Sequence, residues 1–154
     1  MPDSALHMLL VEPETLLRRT VSLTARTLGL GQVHEAASVD AARRLLGERR
    51  FNGAVIAVEC IENDGERHYD MTLVEQVRQG LTISDADMPI AIMADRATPE
   101  LVRELQGRSI RRVILKPFRA KVLLEAIADF SGKQAAPAAP SGFIKDGIRP
   151  ESGA

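Results

Sequence analysis

The sequence predicts an α/β domain: a doubly wound, five-stranded parallel sheet with five helices on its two faces. Three observations carry this. Five short strand-like segments, four of them largely apolar and one (Gln32–Ala36) mixed, alternate with five stretches of helical periodicity. The runs lack a polar/apolar alternation, as strands buried on both faces do. The links between them hold hydroxyl, proline and glycine residues where helices should start and stop. Right-handed crossovers would complete such a sheet, although sequence order alone does not give strand order.

The elements follow in order. Residues 6–11 form the first strand. Pro13 precedes a helix over 14–28, with Leu17, Val21, Thr24, Ala25 and Leu28 at helical spacing, and Gly29 and Gly31 end it. Gln32–Ala36 is the second strand. Ser38 caps a helix over 39–50 whose inner stripe is Val39, Ala42, Leu45 and Leu46. Asn52-Gly53 turns into a third strand over 54–58, and a polar loop covers about 59–69. A helix over 71–79 turns Leu73, Val74 and Val77 inward, and residues 89–93 form the fourth strand. Thr98-Pro99-Glu100 combines a hydroxyl cap, a first-turn proline and an acid near the positive helix end, opening a helix to about Arg108. Residues 111–115 are the fifth strand. Residues 119–130 are the last helix, with Val122, Leu123, Ala126, Ile127 and Phe130 inward.

The chain divides into a short extension (1–5), the domain (6–130) and a tail (131–154) rich in proline, glycine and alanine. Ordering that tail would cost backbone entropy with few apolar groups in return. Its exceptions are Phe143-Ile144 and Ile148, which read either as a docking patch or as scattered apolar residues. With 154 residues and 45% hydrophobic content, the chain suits one compact domain. No apolar run approaches bilayer length and no charged-then-apolar leader opens the chain, so a cytoplasmic location without membrane contact is expected. Cys60 is the single cysteine, and His7, His34 and His68 show no metal-ligand spacing. No metal or cofactor is expected.

Charge is segregated although the net value is only −1. Residues 59–75 hold Glu59, Glu62, Asp64, Glu66, Asp70 and Glu75 against Arg67. Residues 103–121 hold Arg103, Arg108, Arg111, Arg112, Lys116, Arg119 and Lys121 against Glu104. These read either as ordinary solvated faces or, for the second group, as a surface that attracts anions. DNA binding is not expected, because no helix-turn-helix pattern is present and the domain as a whole is not basic.

Several runs carry a resemblance. Val113-Ile114-Leu115-Lys116-Pro117-Phe118, Leu9-Leu10-Val11 with acids following, and Phe51-Asn52-Gly53-Ala54-Val55-Ile56 together resemble the receiver (CheY-like) domain of bacterial two-component response regulators. The resemblance covers roughly residues 6–130 and implies a flavodoxin-like fold, with a cis Lys116–Pro117 bond. It also implies a phosphorylation site, and here the residues depart from the pattern. The two adjacent acids that hold Mg²⁺ in the family fall at Glu12 and Pro13. The phosphoacceptor aspartate falls at Ala57, and the hydroxyl that contacts the phosphoryl group falls at Ala94. Lys116 alone keeps its family type. Glu59 lies two positions past Ala57, beyond the strand end, and is a poor stand-in.

A degenerate pseudo-receiver is therefore expected: no catalytic residue, no metal, and a Glu12–Lys116 contact closing the old site. The expected role is a phosphorylation-independent signalling module that binds a protein partner. In the family, the fourth helix, fifth strand and fifth helix form the output and dimer face. Here that face carries Arg103, Arg108, Arg111, Arg112, Arg119 and Lys121. A homodimer through it is one option. An alternative is arginine-mediated binding of a cyclic dinucleotide or another small anion. A third is phosphorylation at an unexpected residue. The 59–70 loop, longer than in ordinary receivers, is either a partner contact or a harmless insertion.

Overall fold

A computed structural model of the chain describes residues 6–61 and 65–130. The expected short extension, the expected tail, and Glu62 and Asp64 lie outside the described residues. Five parallel strands form the central sheet: β1 (His7–Val11), β2 (Gln32–Ala36), β3 (Gly53–Ala57), β6 (Ile90–Ala94) and β7 (Arg112–Leu115), in the order β2-β1-β3-β6-β7. Five helices connect and cover them: α1 (Thr15–Thr27), α2 (Val39–Glu48), α3 (Thr72–Arg78), α4 (Pro99–Leu105) and α5 (Ala120–Phe130).

Alternate residues of each strand feed two separate cores. Leu9, Val11, Ala54, Ile56, Ile90, Ile92 and Val113 pack with Ala42 and Leu46 of α2, Leu73, Val74 and Val77 of α3, and Leu101 of α4. Met8, Leu10, Val55, Ala91, Met93 and Ile114 pack with Val21 and Ala25 of α1 and with Leu123, Ala126, Ile127 and Phe130 of α5. Because strand side chains alternate with period two, both faces of the inner strands need apolar residues, and this is why β1, β3 and β6 read as apolar runs while the edge strand β2, Gln32-Val33-His34-Glu35-Ala36, does not.

Local chemistry sets the helix starts. Ser38 Oγ accepts a hydrogen bond from Ala41 N at 3.1 Å, and Thr98 Oγ1 accepts one from Leu101 N at 3.1 Å. Three features differ from the sequence expectation. Helix α4 stops at Leu105 rather than near Arg108, because the chain turns extended at Gln106 (ψ 135°) and then enters the left-handed region at Gly107 (φ 78°) and Ser109 (φ 58°). Leu28, expected inward, sits at the C-cap of α1 and is exposed. The 59–69 segment is not simply a loop: β4 (Glu59–Ile61) and β5 (Arg67–Tyr69) form an antiparallel hairpin, with Glu59 opposite Tyr69.

Candidate functional site at the carboxyl edge of the sheet

Parallel strands end on one edge, and the register brings four strand ends together. Val11 is level with Ile56, Ala57 with Met93, and Ala94 with Leu115. Glu12 and Lys116, the residues that follow β1 and β7, extend the same ladders: Glu12 N donates to Ala36 O at 3.0 Å and Lys116 N to Ala94 O at 2.9 Å. The edge is therefore built from Glu12, Ala57, Ala94 and Lys116, residues far apart in the chain. The Lys116–Pro117 peptide is cis.

Glu12 is 2% exposed, and both of its carboxylate oxygens are engaged. Lys116 Nζ donates to Oε1 at 2.8 Å, and Glu14 N donates to Oε2 at 3.0 Å. Arg18 Nη1 donates to the Glu12 carbonyl at 2.8 Å, pinning the same corner from α1. Pro13 is exposed at the entrance to α1 and supplies no side-chain oxygen. Ala94 is 1% exposed, and Ala57 is packed against the α1/α5 core.

Magnesium wants about six oxygen ligands in near-octahedral geometry. Of Glu12, Ala57, Ala94 and Lys116, only Glu12 carries a carboxylate, and it is already committed to an ammonium group and a backbone N–H. The residues do not fit the ion. Among the described residues, no group of three His, Cys, Asp or Glu is placed to hold any metal. Likewise, among them no helix is long and apolar enough to cross a membrane.

The hairpin flanks this edge and ties it to α4. Arg67 Nη1 bridges Glu59 Oε1 at 3.1 Å and Asp95 Oδ2 at 3.2 Å. The hydrogen bond that Arg67 donates to Asp95, then the charge of Glu59, hold the Arg67 guanidinium above its ordinary pKa. Tyr69 Oη and Thr98 Oγ1 are 2.8 Å apart, so the hydroxyl that caps α4 is also held by the hairpin. Glu59 is thus a partner of Arg67 within the ribbon.

The expected arginine face is not uniform. Arg108 is consumed internally: it donates from Nε and Nη2 to Glu75 Oε2 and from Nη1 to the Glu104 carbonyl. Arg112 Nη2 lies 3.5 Å from Asp129 Oδ2. Arg111 is half-buried, whereas Arg103, Arg119 and Lys121 are exposed. Sequence reasoning missed Arg78, which donates to four backbone carbonyls, those of Arg108, Ala86, Met88 and Ser109. It locks the two turns that lead into β6 and β7.

No protein-family model and no curated protein matches this sequence. Solved structures do. The chemotaxis protein CheY4 of Vibrio cholerae matches with a TM-score of 0.67 and 22% identity, over 80% of this chain and 97% of that one. A CheY-like response regulator receiver domain protein of Methanospirillum hungatei matches with a TM-score of 0.65 and 19% identity, over 82% and 93%. An orphan response regulator of H. pylori matches with a TM-score of 0.66 and 16% identity, over 84% and 98%. Identity this low carries the fold and leaves the chemistry to be read from the residues present. The chain has the CheY-like receiver-domain fold.

Proposed function

We propose that this chain is a receiver-fold signalling module that works without phosphorylation and acts by binding a protein partner. One observation carries the reading: the buried Glu12 carboxylate is saturated by Lys116 and Glu14 N at an edge where Ala57 and Ala94 supply only methyl groups. Phosphoryl transfer needs a nucleophile in line with phosphorus and cations over the transferring oxygens. The methyl of Ala57 cannot attack. The ammonium of Lys116 is occupied, and freeing it would leave a buried carboxylate without its partner. Any switching then comes from a partner that binds two states of the domain unequally.

Incubation with acetyl phosphate and Mg²⁺, followed by intact-mass measurement, tests this directly. The mass is expected to stay unchanged. A labile gain of one phosphoryl group would overturn the reading.

The partner or homodimer face that this reading favours is α4, β7 and α5, presented through Arg103, Arg119 and Lys121. The alternative, an arginine-mediated site for a cyclic dinucleotide or other small anion, is weakened because Arg108 and Arg112 already face carboxylates. A nucleotide panel is therefore expected to leave the melting temperature unchanged.

A further inference from the structure

A groove of about 630 Å³ opens at the carboxyl edge of the sheet, where the residues after β7 meet the start of α1. Its apolar lining is Leu16, Leu17, Pro117 and Phe118, and its acidic lining is Glu14 and Asp95. The two acids come from different elements: Glu14 is the N-cap of α1, and Asp95 follows β6. The volume falls within the range of small-molecule sites. The crevice outside the carboxyl ends of parallel strands is also where open α/β sheets take ligands.

Charge decides which ligand fits. Lys116 lines the groove too, but its ammonium is paired with the buried Glu12 carboxylate at 2.8 Å. Asp95 shares Arg67 with Glu59, at 3.2 and 3.1 Å, so one guanidinium serves two carboxylates. Glu14 is exposed, its side chain makes no cap hydrogen bond, and among the described residues it pairs with no cation. Arg96 and Arg119, next in the chain to Asp95 and Phe118, are exposed and do not line the groove. The groove therefore presents more negative charge than its paired cations balance. The positive end of α1, equivalent to about half a charge, offsets only part of the excess. An anion reaching for Lys116 would meet both acids and compete with Glu12. An ammonium group would meet Glu14 and Asp95 and leave the Glu12–Lys116 pair intact, and an aromatic ring such as Phe118 adds attraction for a cation.

We propose that this groove binds a small organic cation: a primary ammonium on a short arm, with an apolar body of about one aromatic ring. The body lies against Leu16, Leu17 and Phe118, and the ammonium reaches Glu14 and Asp95. The inference rests on the shape and charge of the groove, so it stands apart from the choice of protein partner and from the loss of phosphorylation. A ligand seated there spans α1 and the residues after β6 and β7, and it favours whichever state of the domain holds them together.

The test is a titration of the full chain followed through its methyl resonances, with 4-phenylbutylamine as the probe and 4-phenylbutanol and 4-phenylbutyrate as isosteres. The amine should shift the Leu16 and Leu17 methyls to saturation, with a Kd on the order of 1 mM for a fragment of this size. The methyls of Leu81, a leucine as exposed as Leu16 but outside the groove, should stay in place. The alcohol should bind about threefold more weakly, and the carboxylate more weakly again. Glu14→Gln, which removes no cap hydrogen bond, should weaken the amine about threefold and leave the alcohol unchanged. Equal affinity for all three ligands would reduce the groove to apolar surface, and tightest binding of the carboxylate would make Lys116 the anchor. Either result would overturn the proposal, as would an amine shift that stays linear to about 20 mM. If an N-acetylated phenylalanyl-lysine amide saturates the shifts and the amine does not, the occupant is a protein side chain and the small-ligand proposal fails.

Discussion

Two half-buried cations, Lys116 and Arg78, are stabilised in opposite ways. Lys116 Nζ meets a full negative charge, the buried Glu12 carboxylate at 2.8 Å. Among the described residues, Arg78 hydrogen-bonds to backbone carbonyls alone, at 2.8 Å to Arg108, 2.6 Å to Ala86, 2.8 Å to Met88 and 3.0 Å to Ser109. Burial pushes the Arg78 guanidinium below its ordinary pKa; Asp87 opposes the shift and Arg111 adds to it. A point charge on a flexible stem suits a single carboxylate. A planar fork with five donors suits several acceptors in different directions. One arrangement joins two strand ends at the carboxyl edge of the sheet, and the other is architecture.

The largest expected effect is on the architectural cation. Replacing Arg78 by Met removes four charge-assisted hydrogen bonds and strands carbonyls of two turns. The expected loss is about 3 kcal/mol of unfolding free energy, read as a lower urea midpoint. Arg78→Lys keeps the charge but cannot reach both turns at once, so it should recover less than half of that. Full recovery by lysine would show that the charge, rather than the fork, holds the turns.

Lys116 comes next. Lys116→Met leaves the Glu12 carboxylate buried with its Oε1 partner gone. Breaking a buried pair costs about 3–5 kcal/mol, but the Lys116 side chain is 23% exposed, so water softens the loss to about 2 kcal/mol. Adding Glu12→Gln removes the orphaned charge while keeping an oxygen for Glu14 N. The double variant should therefore be more stable than Lys116→Met alone. Additive losses in the double-mutant cycle would mean that the pair is not coupled, and the closed pocket would lose its physical basis.

The two cations also differ in how far the sequence revealed them. Glu12 and Lys116 end apolar runs, so a parallel sheet sends both to the same edge. Pattern and topology suffice to bring them together. The partners of Arg78 lie in turns, and turn geometry depends on how Gly107 and Ser109 take positive φ. Helical periodicity carries no trace of that, which is also why α4 was expected to reach Arg108. The hairpin was illegible for a related reason. Its strands, Glu59-Cys60-Ile61 and Arg67-His68-Tyr69, are three residues each and too short to show a period, and its anchors, Arg67 to Asp95 and Tyr69 to Thr98, join positions about thirty apart. The engagement of Arg108 was hidden in the same way, because Glu75 comes from α3, thirty-three positions away, to meet it.

A third basic group completes the series, with the smallest expected effect. Among the described residues, His34 meets neither a carboxylate nor a set of carbonyls. Its Nε2 lies 3.0 Å from His7 Nδ1, and its ring stands edge-on to Phe51, over which Arg49 lies at 5.9 Å. Burial first, then the charges of Arg49 and His7, lower its pKa below the ordinary 6.5. The sign follows from linkage: at mildly acidic pH the unfolded chain binds a proton that the folded chain resists. This contribution to stability is present above pH 6.5 and is lost as pH falls toward the lowered folded value. Unfolding free energy should decline from about pH 7.5 to about pH 5.5, and His34→Gln should flatten that slope. A wild-type slope of the opposite sign would mean that folding favours the charged ring, placing His34 with Lys116 as a cation that has found a partner.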